Sequence, residues 1–164
     1  MTQDIVLDAD FLSAFLKIDH LPLVREFYQA EALQIPSAVY GEVKPTRFFL
    51  KLASLPPWVR VTDPSPSLLE SLSREPGFSE LGLGEKEAIA LAKQLGDSVL
   101  LMNDNRARLY ATRLGLDCVS IPAFLLACKR TRLVDAKGVA ELVHALQTLD
   151  RYRFRKDVLD LLLT

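Results

Sequence analysis

The stretch Ile5-Val-Leu-Asp8-Ala-Asp10-Phe-Leu-Ser-Ala-Phe-Leu-Lys17 narrows the folds open to this chain more than any other. Three apolar, β-prone residues run into Asp8, after which Phe11, Leu12, Phe15 and Leu16 recur at three- and four-residue intervals. That change of period predicts a buried strand followed at once by a helix, with a carboxylate at the junction. In open α/β sheets, ligands bind at the carboxyl edge of the strands. A charge held there is costly unless a cation, a hydrogen-bond donor or water meets it. Asp8 is therefore the leading candidate for the centre of a site, and the rest of the chain should supply its partners.

The alternation continues. Ala32–Ile35 reads as a second strand, Trp58–Val61 as a third, Ser98–Met102 as a fourth and Asp117–Val119 as a fifth. Between them lie helical patterns. Pro22 suits a helix start in His20–Ala30, and Pro36-Ser37 opens a helix with Ser37 as its expected N-cap and Pro45 as its interruption. Phe48, Phe49, Leu50 and Leu52 extend that apolar pattern to Pro56-Pro57. Further helices are expected over Ser67–Arg74, Glu85–Leu95 with Gly96 as its stop, Arg106–Leu114, from Pro122 onward, Ala136–Leu149 and Lys156–Leu163. Strands alternating with helices argue for a parallel, right-handed α/β sheet covered on both faces. No repeat or linker interrupts residues 1–164, which read as one domain.

At 164 residues the chain can bury a substantial core. No apolar run reaches the ~18–20 residues of a membrane span, and the N-terminus has neither the basic start nor the apolar stretch of a signal peptide; the expectation is a cytoplasmic protein with no membrane association. Cys118 and Cys128 sit among apolar residues without metal-ligand spacing and read as buried, reduced thiols. The two histidines, His20 and His144, stand alone, which disfavours zinc or histidine-based hydrolysis. A net charge of −1 gives no broad basic footprint for nucleic acid, although a divalent cation and a local basic patch could offset substrate charge.

Four places put carboxylates where a strand ends or a helix begins: Asp8 with Asp10, Glu42, Glu85 with Glu87, and Asp104. A parallel sheet brings such positions to one edge. Clustered carboxylates raise one another's pKa unless a cation neutralises them. All-oxygen ligands without His or Cys favour Mg²⁺ or Mn²⁺, which suits phosphodiester hydrolysis. Each residue also has a plainer reading: Asp10 or Asp104 as a helix N-cap, Glu42 on a solvated face, Glu85 or Glu87 complementing a helix dipole.

These residues resemble the PIN-domain family, including the VapC toxin ribonucleases and their stand-alone relatives, over nearly the whole chain. Leu7-Asp8-Ala9 is similar to its first motif and Ile35-Pro-Ser-Ala-Val-Tyr-Gly-Glu42 to its second. Leu81–Ala92 resembles a subgroup's Leu-Gly-x-Gly-Glu-x-Glu-Ala-Ile-x-Leu-Ala pattern, followed here by Val99-Leu-Leu-Met-Asn103-Asp104-Asn-Arg-Ala-Arg108, and Arg151-Tyr-Arg-Phe-Arg155 resembles its tail. The resemblance implies a three-layer α/β/α fold with a four- or five-stranded parallel sheet. It also implies a Mg²⁺- or Mn²⁺-dependent endoribonuclease, acting as the toxin of a toxin–antitoxin pair, as a homodimer restrained by a cognate antitoxin. Carried over, Asp8, Glu42 and Asp104 would hold metal, with Glu85 or Glu87 as the other acid; these point to different helix faces, and Glu85 is preferred. Arg106 and Arg108 would meet RNA phosphates from a helix start, or else lie on a solvated surface. Two positions depart from the pattern: Asn103 stands where the subgroup often has Asp, and Asp10 adds a charge beside Asp8, so a PIN-like fold retained for binding or regulation is the alternative. Asp8-Ala-Asp10 is also similar to the opening of haloacid-dehalogenase-type phosphatases, but Leu12 and the lack of their later motifs argue against that.

Overall fold

The structure, a computed structural model, describes residues 3–47 and 57–164. Along β1 (Asp4–Leu7), Ile5 and Leu7 enter one apolar core while Val6 enters another, as the two-residue period of a strand requires. The other strands are β2 (Leu33–Ile35), β3 (Val59–Val61), β4 (Ser98–Leu101) and β5 (Asp117–Val119). All pair in parallel in the order β3-β2-β1-β4-β5. β1 and β4 are the centre, buried except for the half-buried Asp4, with Ile5 beside Val99 and Leu7 beside Leu101. The chain winds outward from β1 to β3 and then returns beside β1, so the strand order reverses between β1 and β4. In such sheets that reversal opens a crevice at the carboxyl edge.

Helices cover both faces. The first core gathers α1 (Ala9–Lys17), α2 (Leu21–Tyr28), α7 (Ile121–Arg130), α8 (Ala136–Leu149) and α9 (Lys156–Leu163). It contains an aromatic cluster: Phe11 stacks on Phe15 at 5.1 Å, and both meet Phe124 edge-on at 5.9 and 5.4 Å. Such pairs contribute about 0.5–1.5 kcal/mol each beyond their burial. The second core gathers α4 (Pro66–Ser73), a 3₁₀ turn (Phe78–Glu80), α5 (Leu83–Leu95) and α6 (Asn105–Arg113) under Val6 and Leu100. The short α3 (Ser37–Val43) sends Val39 and Val43 into the first core and lies along α5. Among the described residues, no helix is long and apolar enough to cross a membrane.

The α/β reading holds, with five strands in three layers. Several local expectations change. Asp10 does not cap α1: Asp8, with extended backbone, accepts the Phe11 N–H at 2.9 Å and is itself the N-cap. Ser37 is not the cap of α3 either. Pro36 occupies that position, and the first helical N–H groups go to distant carboxylates, Ser37 N–H to Asp63 at 2.8 Å and Ala38 N–H to Glu87 at 2.8 Å. α5 begins at Leu83, two residues before Glu85, because extended Gly82 caps it. Cys118 is only partly buried, whereas Cys128 is fully so; burial pushes both thiols up to about 12, which keeps them protonated. The apolar pattern at Phe48, Phe49, Leu50 and Leu52, and the break at Pro56, lie outside the described residues.

Candidate active site

Asp8 and Asp104 are delivered by the same local design. Each follows a buried strand and takes an extended backbone, and each caps the next helix with one carboxylate oxygen, Asp8 on Phe11 N–H and Asp104 on Ala107 N–H, both at 2.9 Å. They flank the crevice between β1 and β4. Glu42 reaches it from the last turn of α3, Glu85 from the first turn of α5 and Asp10 from the first turn of α1. Together these five carboxylates, with Ala9 and Gly82, line one open pocket of about 270 Å³.

Depth separates them. Asp8 is 2 % exposed, Glu85 is half-buried, and Asp10, Glu42 and Asp104 stand at the mouth. Burial pushes the Asp8 carboxyl up to about 8, aided by the negative charges of Asp10 and Glu85 and opposed by the N–H groups of Phe11 and Asn103. Asp10, Glu42 and Glu85 are also raised, each chiefly by burial and then by its acidic neighbours: Asp104 and Asp150 for Asp10, Asp10 for Glu42, and Asp104, Asp10 and Glu42 for Glu85. The Lys17 ammonium opposes the rise at Asp10. Groups that raise one another in this way are within electrostatic reach around one space.

The Leu81–Glu87 segment shows why this turn has its composition. Glu85 accepts the Gly82 N–H at 2.9 Å, half of a capping box. Glu42 takes a backbone hydrogen bond from Gly84, and a Cβ at Gly84 would collide with Glu42 Oε1. Glycine at this position leaves room for the Glu42 carboxylate to lie against the start of α5. Glu87 points elsewhere, its Oε2 capping α3 through Ala38 N–H. The two acids left open by the sequence thus separate: Glu85 lines the pocket and Glu87 joins two helices.

The remaining sequence candidates scatter. Asn103 lies outside the acidic pocket; its Oδ1 accepts the Tyr152 hydroxyl at 3.0 Å and the Ile121 N–H at 3.3 Å. Arg106 turns away to Glu80 at 2.6 Å, both side chains being largely exposed. Arg108 lies instead beside Asn103 and the Arg151–Arg155 segment. Sequence reasoning missed the Lys17–Asp150 ion pair, 2.8 Å, which stands with Asp10 in an adjoining cavity, and it missed Asp63. Partners 133 and 26 residues apart carry no local signal that could have found them.

The donor set is all oxygen and hard, which fits a divalent ion such as Mg²⁺ or Mn²⁺. Among the described residues, however, no group of three or more Asp, Glu, His or Cys side chains stands in metal-holding geometry. The acids surround the space without converging on a point in it, and Asp8, Glu42, Glu85 and Asp104 each hold a backbone N–H.

A family model described as DUF3368, a PIN domain, matches residues 4–164. The chain belongs to the PIN-domain family. PIN domains are generally nucleases that use divalent metals. No curated protein matches the chain. In this PIN domain the acidic pocket lies at the sheet's reversal point, where a ligand is expected on topology alone.

Proposed function

We propose that this PIN domain is a Mg²⁺- or Mn²⁺-dependent endoribonuclease whose active site is the pocket formed by Asp8, Glu42, Glu85 and Asp104, with Asp10 at its rim. The observation that carries the reading is that five carboxylates line one crevice, three of them raised by burial and mutual repulsion and Asp8 pushed up to about 8. A site left in that state is poised to gain from a cation. Asp8, Glu42, Glu85 and Asp104 would hold the ion, which when bound would activate water and offset charge on the phosphate and leaving oxygen. The protein's own part is positional. The caps on Phe11 and Ala107 fix one oxygen each of Asp8 and Asp104, and the α3–α5 contact at Gly84 sets the reach of Glu42. Glu87 is assigned to the helix junction and not to the metal.

In this proposal the chain works in the cytoplasm as a homodimeric toxin held by an antitoxin; co-purification with a small protein encoded beside it supports that part, and a chain that is harmless and unaccompanied when expressed argues against it. A second reading, a PIN fold kept for binding or regulation, is favoured by the lack of a metal-holding group among the described residues. Calorimetric titration with Mn²⁺ and cleavage of labelled RNA separate the two. Mn²⁺ binding together with cleavage that Asp8→Asn abolishes supports the nuclease; absence of both supports the binding protein.

A further inference from the structure

Beyond the acidic pocket, two cavities of about 450 and 400 Å³ run end to end, sharing Asn103, Tyr152 and Arg153. The second includes Asp10, which also lines the acidic pocket. Asp10 thus borders both spaces, and the two arginine-lined cavities form a groove that adjoins the acidic pocket. Its wall is the segment 151–155, which lies between α8 and α9 without regular structure. Exposure alternates along it: Arg151, Arg153 and Arg155 are exposed, while Tyr152 and Phe154 are half-buried against the first core. The aromatic rings touch at 4.6 Å and the Tyr152 hydroxyl is bonded to Asn103, so the segment is pinned from below.

Neither Arg151 nor Arg153 is ion-paired among the described residues, and Arg155 meets only the exposed Asp157 at 2.7 Å. Arg108 faces the same cavity from α6. Asp150, the nearest acid in sequence to this row, is already neutralised by Lys17. On the other side of the acidic pocket the comparable cation, Arg106, is engaged by Glu80.

We propose that this groove binds the phosphate backbone of single-stranded RNA on one flank of the acidic pocket, with Arg108, Arg151, Arg153 and Arg155 as the phosphate contacts. The inference rests on the nuclease reading in that it puts the scissile phosphate at the acidic pocket. Exposed arginines alternate with half-buried aromatics from Arg151, whose backbone is left-handed (φ 55°), to Arg155, so three cations recur along the segment's solvent side, where successive phosphates of one strand can meet them. Cavities of this size take units as large as a nucleotide. With a net charge of −1 for the whole chain, attraction to RNA must come from such a local row.

The test uses the full chain in EDTA, with fluorescence anisotropy of a labelled single-stranded RNA of about twelve nucleotides read across a salt series. Four phosphate contacts predict a slope of log affinity on log salt near −3, because each contact contributes about 0.7 on a single strand. Arg151→Gln with Arg153→Gln should reduce it to about half, Arg151→Lys with Arg153→Lys should preserve it, and Arg106→Gln should leave it unchanged. Melting temperatures should stay within a few degrees, since these side chains are exposed. An unchanged slope in the glutamine variant overturns the track, as does equal loss in the lysine variant. So does an equal effect at Arg106, or a duplex that binds as tightly with the same arginine dependence. Mn²⁺-dependent cleavage of the same RNA is read separately. An arginine-dependent slope without cleavage sinks the nuclease reading and keeps the groove; cleavage with an unchanged slope does the reverse.

Discussion

Asp8 and Asp104 are near copies in local structure and opposites in setting. Each follows a central strand, each caps a helix with one oxygen at 2.9 Å, and β1 and β4 are hydrogen-bonded neighbours. Asp8 follows Leu7 directly, whereas Asp104 comes three residues after the register partner, Leu101, and so emerges from the sheet into solvent. The same sequence device thus yields one carboxyl held up near 8 and one exposed at the mouth. Depth in the sheet, and not residue type, decides which acid depends on a partner.

Substitution of both acids exposes that difference. Under the nuclease reading, Asp8→Asn and Asp104→Asn each lower Mn²⁺-dependent RNA cleavage by at least about 100-fold, with the greater loss at Asp8. Initial rates at several Mn²⁺ concentrations measure it, and equal wild-type and variant rates would remove both residues from the site. Asparagine remains a good N-cap, so these variants change charge while keeping the helix starts.

Stability without metal should move the opposite way for the buried acid. Between about pH 4 and pH 8 the folded chain keeps a proton on Asp8 that the unfolded chain has released. The unfolded state then binds fewer protons, and stability falls as pH rises through that window. Asp8→Asn removes the Asp8 share of the dependence, leaving that of Asp10, Glu42 and Glu85, and raises the melting temperature at pH 8 in EDTA by about 5–10 °C, equivalent to a few kcal/mol for a chain of this size, with little gain at pH 4. Asp104→Asn should leave melting within about 2 °C at both pH values. A similar rise in the two variants would show that depth is not the cause.

A smaller effect is expected from Gly84→Ala. The added methyl collides with Glu42 Oε1, displacing that carboxylate, and Mn²⁺ affinity by calorimetry should weaken about 10-fold. Smallest is the contrast between the two glutamates of the same helix. Glu87→Gln should cost about 1 kcal/mol in urea unfolding through a weakened cap on α3 and leave cleavage intact, whereas Glu85→Gln should impair cleavage. The reverse result would exchange their roles.

How far the sequence carried these conclusions differs by scale. Helices Ala136–Leu149 and Lys156–Leu163 coincide with their sequence reading, because an uninterrupted apolar period and clear flanking residues marked them. Caps were less legible. A cap depends on whether a residue's backbone is extended, so Asp8 and Pro36 took the positions expected of Asp10 and Ser37. Glu85 and Glu87 could not be separated in the sequence because the distinction lies in which face of α5 meets α3, a tertiary fact. Arg106 and Arg108 were equivalent on paper for the same reason, and only the position of Glu80 set them apart.

The missing side chain at Gly84 has a consequence for how such chains can diverge. Its place is taken by the flexible carboxylate end of Glu42, so a larger residue at position 84 has to displace that carboxylate, whereas a shorter residue at position 42 leaves the glycine undisturbed. Among relatives, a residue larger than glycine at position 84 should be accompanied by a shorter one at position 42, and covariation between these two columns would be the evolutionary signature of the contact between α3 and α5.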